Sequence, residues 1–411
     1  MNRPYKGKSF ERVMLFLVFI ITYTFLLTPN LAHAFKLSPC LRVLKLEDGK
    51  LSAEKISSWN LCRVLQENER LPVHEHMTLA SVRAYIGDER LEINNRGWKY
   101  RYMSKDDWNR ADREHHTHAL IYGTWWNDDP LMRTWGEKND FIIGGFRSLS
   151  LMDSKRVKYP TDHKNCSVPA ISHIGYQSHY GTLQHLHFMT ELATDQSTNK
   201  ERIDSTTEKS LKWIHFAYDV AIGSLHPLKE FNRNEQEHVD LPPLDLNVCA
   251  KPENIKIWTL FSRTGMLDKD RIQITPDVAL GTILHIIQDS WSSSHTCRIE
   301  QKAEAGQLPL AVLEDVKNYK EQESRSGKIF HATQDLFPDW LNDQVIRGKV
   351  KYGNDPITIG AWLLSAVDQK LPWTVVEEHL RNTIFAKTKS VSDGNQVCLF
   401  TRKIENTRPP I

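Results

Sequence analysis

An all-α fold is predicted by three features of the 411-residue chain. Apolar residues recur at helical spacing in several segments. Strand signals are scarce, and the glycine- and proline-bearing stretches between the periodic segments read as long irregular loops. Two H-x-x-x-D pairs, His285 with Asp289 and His331 with Asp335, place an imidazole and a carboxylate one turn apart on a helix face. There is no short-period repeat and no clear linker, so a single domain is expected.

Residues 1–34 stand apart from that domain. Arg3, Lys6, Lys8 and Arg12 precede an apolar run from Met14 to Thr28, and Ala32-His33-Ala34 has the small-x-small form of a cleavage site. This predicts a secretory signal, with the domain spanning 35–411. The apolar run is shorter than the roughly 20 residues a spanning helix needs, and no later stretch could cross a bilayer. The expectation is a periplasmic or secreted protein with no transmembrane anchor after cleavage.

Within the domain, residues 35–71 read as loops with short elements. Leu79, Val82 and Ile86 set a helix with His74 near its start. His115 to Gly123 reads as a short helix delivering Trp125-Trp126-Asn127-Asp128-Asp129-Pro130, with the carboxylates at its exit. Residues 131–180 look irregular, and 181–193 regain an apolar helical face through Leu183, Leu186, Phe188, Met189 and Leu192. Ser205-Thr-Thr-Glu208 resembles a capping box before a helix through Ile222. Thr275-Pro276 opens the helix of His285 and Asp289, and Ser292-Ser293-Ser294 ends it so that His295 turns back. Further helices are expected over 308–323, 328–341, 357–367 and 373–386.

Removing the leader takes away four of the 53 basic and one of the 51 acidic side chains, leaving a net charge of −1. Such a chain has no electrostatic case for a nucleic-acid groove. Cys40, Cys62, Cys166, Cys249, Cys297 and Cys398 all lie in the exported part; an even number there predicts disulfides, with the pairing open. No C-x-x-C pair exists, which argues against a cysteine zinc site. The 18 histidines direct attention to metal or acid-base chemistry instead. Imidazole with carboxylate suits a borderline ion such as zinc better than magnesium or calcium.

One helix thus offers His285 and Asp289 with His295 beside it, and the next offers His331 and Asp335. In this order HIIQD, His295 and HATQD resemble the zinc-dependent phospholipases C and the related single-strand-specific nucleases. HEHMT, WWNDDP and LQHLHFM look like that superfamily's upstream segments, more loosely. Ser293 stands where the family usually has a proline.

The resemblance implies two or three zinc ions. Asp128, His187, His285 and Asp289 would hold one, His295, His331 and Asp335 a second, and His74 with a bridging Asp289 a third. Asp129 competes with Asp128, and His185 with His187; Pro130 and the pattern Leu186-His187-Phe188-Met189 favour Asp128 and His187. The family's third zinc usually also takes the mature N-terminal tryptophan, whereas the N-terminus expected here is Phe35. Asp128 would also orient or deprotonate the attacking water. Trp125, Trp126 and Trp291 could cage a headgroup or pack in the core. The implied activity is hydrolysis of phosphatidylcholine-like lipids at a membrane surface to diacylglycerol and phosphocholine. The alternatives are a zinc nuclease or nucleotidase and a secreted metal-binding protein without turnover.

Overall fold

The computed structural model describes residues 45–47, 50–52, 73–86, 119–128, 177–179, 181–231, 256–261, 268–319, 338, 340–341, 350–388 and 398–400. The leader expected at 1–34 lies outside them. The described residues are mostly helical. The helices are α1 (Val73–Ile86), α2 (Ala119–Trp126), α3 (Asn199–Ile222), α4 (Ile257–Phe261), α5 (Asp268–Asp289), α6 (Pro356–Gln369) and α7 (Trp373–Asn382). Two antiparallel pairs accompany them, β1 (Lys45–Glu47) with β2 (Lys50–Ser52) and β3 (Thr296–Gln301) with β4 (Leu310–Val316). No described helix is long and apolar enough to cross a membrane.

The second half of α5 is the central rod. Val278, Ala279, Leu280, Ile283, Leu284, Ile286 and Ile287 are all buried, and Gly281, Thr282 and His285 are buried on the remaining side, so this half has no solvent face. α1, α2, α3, α4 and α6 pack around it. The closest approach is to α2, where Gly123 meets Gly281: a methyl group on either would fall inside the backbone of the other helix. Trp126 stacks on Trp213 at 5.0 Å and leans on Phe261, which anchors α2 to α3 and α4.

Several elements differ from the sequence reading. α2 passes through Gly123 instead of ending there, because that glycine is spent on the helix contact rather than on a cap. α5 begins at Asp268, with Pro276 inside it; one lost backbone hydrogen bond does not end a helix held by its buried half. The box at the start of α3 is Thr198 with Glu201, not Ser205 with Glu208, and Thr206 and Thr207 are buried. Residues 181–193 form no α-helix but one 3-10 turn, Gln184–His187. The helix expected from 308 is strand β4, because pairing with the β3 backbone overrides local preference.

The β3–β4 ribbon and the C-terminal segment brace the exit from α5. Arg298, fully buried, donates to the carbonyls of Ser290, Ala311 and Ile384 and to Ser290 Oγ at 2.6–3.1 Å. Burial pushes its pKa down to about 9, which leaves it a cation at neutral pH. The expected disulfide chemistry is seen in Cys297–Cys398, next to which Leu399 N–H donates to the Arg298 carbonyl at 2.7 Å.

The glycine contact predicts an asymmetric response to alanine. Gly281→Ala must push α2 and α5 apart, and we expect a loss of about 3 kcal/mol, the upper end of core overpacking. Gly223→Ala, at a left-handed helix end with open space around it, should cost about 1 kcal/mol. Urea unfolding checks both; equal midpoints for the two variants would refute the backbone contact.

Candidate metal centre

Five separate pieces of chain deliver the site. His74 is the second residue of α1, Asp128 follows α2, and His179 comes from the helical residues 177–179. His187 ends the 3-10 turn, while His285 and Asp289 lie one turn apart on α5. His295 follows the serine turn. All seven are at most 2% exposed.

Local geometry explains each placement. Phe188 adopts a left-handed conformation (φ 46°) that reverses the chain directly after His187, and its ring stacks on Phe385 at 4.7 Å. Asn127 Nδ2 donates to the Leu186 carbonyl at 2.6 Å, tying the exit of α2 to that turn. The His295 carbonyl accepts from Lys317 N–H at 2.7 Å, so the ribbon holds the returning loop.

The histidine rings are oriented by their Nδ1 atoms. His285 Nδ1 donates to the Thr124 carbonyl and His295 Nδ1 to the His187 carbonyl, each at 2.6 Å. A carbonyl can only accept, so both nitrogens carry the proton and the neutral rings present Nε2 as a lone pair. His74 Nδ1 donates to Gln288 Oε1 at 2.7 Å, and Gln288 Nε2 in turn donates to Thr78 Oγ1 at 2.8 Å. Outer partners of this kind fix metal-binding imidazoles in orientation and tautomer.

The Nε2 atoms of His285 and His74 converge on Asp289. His285 Nε2 lies 2.9 Å from Asp289 Oδ2, and His74 Nε2 lies 3.3 Å from Oδ1. The His74 and His285 rings stack at 4.1 Å. Ligand atoms around a tetrahedral zinc at ~2.0–2.1 Å stand about 3.3 Å apart, so these separations fit one ion. His187 Nδ1 sits 3.0 Å from Asp289 Oδ2 and 2.9 Å from His285 Nε2, which places one proton donor against two acceptors. A second group faces the first across His187: Asp128 Oδ1 is 3.6 Å from His179 Nε2 and 4.0 Å from His187 Nε2. Each group, His74 with His285 and Asp289 and Asp128 with His179 and His187, could hold a metal ion.

The electrostatics suit a cation. Burial opposes ionisation of Asp289, but His285, His295 and His74 outweigh it and hold the carboxyl well below its usual range. Asp128 is likewise held down against burial by His179, His285 and His187. Burial works against the His74 imidazolium too, yet Asp289, then Asp128 and Gln288, raise its pKa from 6.5 to about 9. His285 and His295 go the other way, burial lowering the first and pushing the second down to about 4.

His74, Asp128, His187, His285, Asp289 and His295 all lie in this buried cluster, but grouped otherwise than the resemblance implied: His285 and Asp289 stand with His74, Asp128 and His187 stand with His179, and His295 is in neither group, while His331 and Asp335 lie outside the described residues. Asp129 also lies outside them. His185 is buried but belongs to neither group. His179 was missed: it stands in a stretch without periodicity, and no spacing rule connects it to Asp128. Trp125, Trp126 and Trp291 are all buried, Trp291 against Arg298, Trp340, Tyr352 and Phe400. They pack the core and form no exposed cage. In comparisons with known proteins, no family model, curated protein or solved structure matches the chain.

The raised His74 pKa predicts opposite pH trends for folding and metal binding. In metal-free protein its stabilising charge is fully present below about pH 6.5 and is lost as pH rises through about 9. The melting temperature of chelated protein should fall across that window, and His74→Gln should flatten the fall. Divalent-ion affinity should instead rise from pH 7 to 9, with about one proton released per ion at pH 7. Calorimetry in buffers of different ionisation enthalpy measures that proton; none released would refute the assignment.

Proposed function

We propose that the chain is an exported zinc-dependent phosphodiesterase of the phospholipase C type, acting on phosphatidylcholine-like lipids. The observation that carries the reading is the buried cluster in which His285 Nε2 and His74 Nε2, each with its Nδ1 proton committed elsewhere, face the two oxygens of one ionised carboxylate. The order HIIQD, His295, HATQD supports the choice of family, and the near-neutral charge favours lipid over a nucleic-acid strand.

Bound zinc would supply a water acidified to near pH ~7 and polarisation of a phosphoryl oxygen. The chain's own residues set the rest. Asp289 presents one oxygen to His74 and the other to His285 and His187, so it fixes the side chains around it in one arrangement. Asp128 stays ionised against its burial, so it can accept the hydrogen bond of an attacking water and orient it. Thr124 and Gln288 hold the two imidazoles at fixed rotation without touching a substrate.

Hydrolysis of a phosphatidylcholine analogue should be lost with chelator and restored by zinc. Asp289→Ala should remove both activity and bound metal, whereas Gln288→Ala should lower zinc affinity about 10-fold or more with the fold intact. Release of nucleotides from single-stranded DNA with no lipid turnover would replace this reading by a nuclease. Zinc retained without turnover of either substrate would replace it by a binding protein.

A further inference from the structure

The side of His187 turned away from Asp289 is a site in its own right. Both oxygens of Asp128 and Nε2 of His187 are buried and make no hydrogen bond among the described residues. A buried carboxylate in that condition is costly unless a cation meets it. His179 reaches the same carboxylate from a different stretch of chain. Its Nδ1 lies 3.0 Å from Ser178 Oγ, and the Ser178 hydroxyl faces the Asn127 carbonyl at 3.3 Å. If that hydroxyl donates to Asn127, it accepts from His179 Nδ1–H, and His179 Nε2 becomes the lone-pair nitrogen facing Asp128.

His187 fits the same rule. Its Nδ1, 3.0 Å from Asp289 Oδ2, is placed to donate, which leaves Nε2 as a lone pair on the Asp128 side. Four rings thus commit Nδ1 to an acceptor and face a carboxylate with Nε2, His74 and His285 facing Asp289 and His179 and His187 facing Asp128. One imidazole cannot give both nitrogens to a single ion, so His187 belongs to the Asp128 group while buttressing Asp289.

We propose that Asp128, His179 and Nε2 of His187 form a second metal-ion site, distinct from the site of His74, His285 and Asp289, with His179 as a ligand. The separations of 3.6 and 4.0 Å between the carboxylate oxygen and the two nitrogens require contraction of about 0.3 and 0.7 Å to reach the ~3.3 Å edge of a tetrahedral zinc site. Three protein ligands leave a position open for water, the pattern of a reactive rather than a closed site. The inference rests on the reading of the cluster as metal-binding, but not on the substrate.

The test is zinc content of the whole protein after dialysis against trace zinc, for wild type, His179→Ala, His74→Ala and the double variant. We expect each single variant to lose about one equivalent and the double variant about two. Unchanged zinc in His179→Ala would overturn the second site and leave His179 as an ion-pair partner of Asp128. A double variant that loses no more than His74→Ala would overturn it as well. No zinc in the wild type would overturn this inference and the first site together, whereas zinc bound as expected without lipid hydrolysis would overturn only the proposed activity. His179→Cys loaded with cobalt guards against a misfolded alanine variant. A thiolate-to-cobalt absorption band supports ligation at this position, and bound cobalt without that band refutes it.

Discussion

The approach of Gly123 to Gly281 fixes the rest of the site, because it is the point at which two helix backbones touch without side chains between them. Side chains at such a crossing normally hold helix axes ~8–10 Å apart. Their removal lets the last turn of α2 lie directly against α5. Only then can the Thr124 carbonyl, one residue beyond Gly123, reach the ring of His285, one turn beyond Gly281. The same approach sets where α2 ends, and so where Asp128 stands relative to Asp289.

Around that frame the cluster obeys a division of labour within each imidazole. In His74 and His285, Nδ1 is turned outward to an amide or a carbonyl and Nε2 faces Asp289, while His187 gives Nδ1 to Asp289 and Nε2 to the Asp128 side. The outward bond removes the choice of tautomer, and removing it matters most in a buried site, where polar groups act on one another at low dielectric. The inward nitrogens and the two ionised carboxylates then collect electron density in a volume that excludes solvent. Without a cation, His74 supplies the missing positive charge by holding its proton to about pH 9. The His74 proton and a metal ion, which either group could hold, are therefore two answers to one electrostatic requirement.

How much of this was legible beforehand follows from the kind of signal each residue carries. His285 and Asp289 were readable because a helix converts a spacing of four into a shared face, and α5 is a helix. His74 and the exit position of Asp128 were likewise tied to helix ends. His187 was assigned through family resemblance, and the α-helix expected around it proved to be a 3-10 turn closed by a left-handed Phe188, a conformation no periodicity announces. His179 lies in an aperiodic stretch and meets Asp128 only through tertiary packing. Strand β4 was misread for a related reason, since its partner β3 supplies the hydrogen bonds that decide its conformation. Local pattern, in short, reports what one element imposes on itself, and the missed features are those imposed by a second element.

His295 shows the same logic from the other end. The helix stops at Asp289 and a turn continues from it, Ser292 N–H donating to the Asp289 carbonyl and His295 N–H to that of Ser292, and the His295 ring is held by a bond of the same 2.6 Å length as that of His285. The support comes from the ribbon: Lys317 N–H grips the His295 carbonyl, and Arg298 grips the Ser290 carbonyl on the near side of the turn. Arg298 does this while buried among carbonyl oxygens and over the Trp291 ring, with no carboxylate partner among the described residues. A buried guanidinium satisfied by backbone carbonyls has three separate segments, around Ser290, Ala311 and Ile384, fixed by one side chain. Replacing it by an apolar residue of similar size would leave those carbonyls unpaired, a larger loss than that of any single hydrogen bond. The exit turn is therefore held from outside by charge, as the α2–α5 crossing is held from inside by the absence of side chains, and the centre sits between these two constraints.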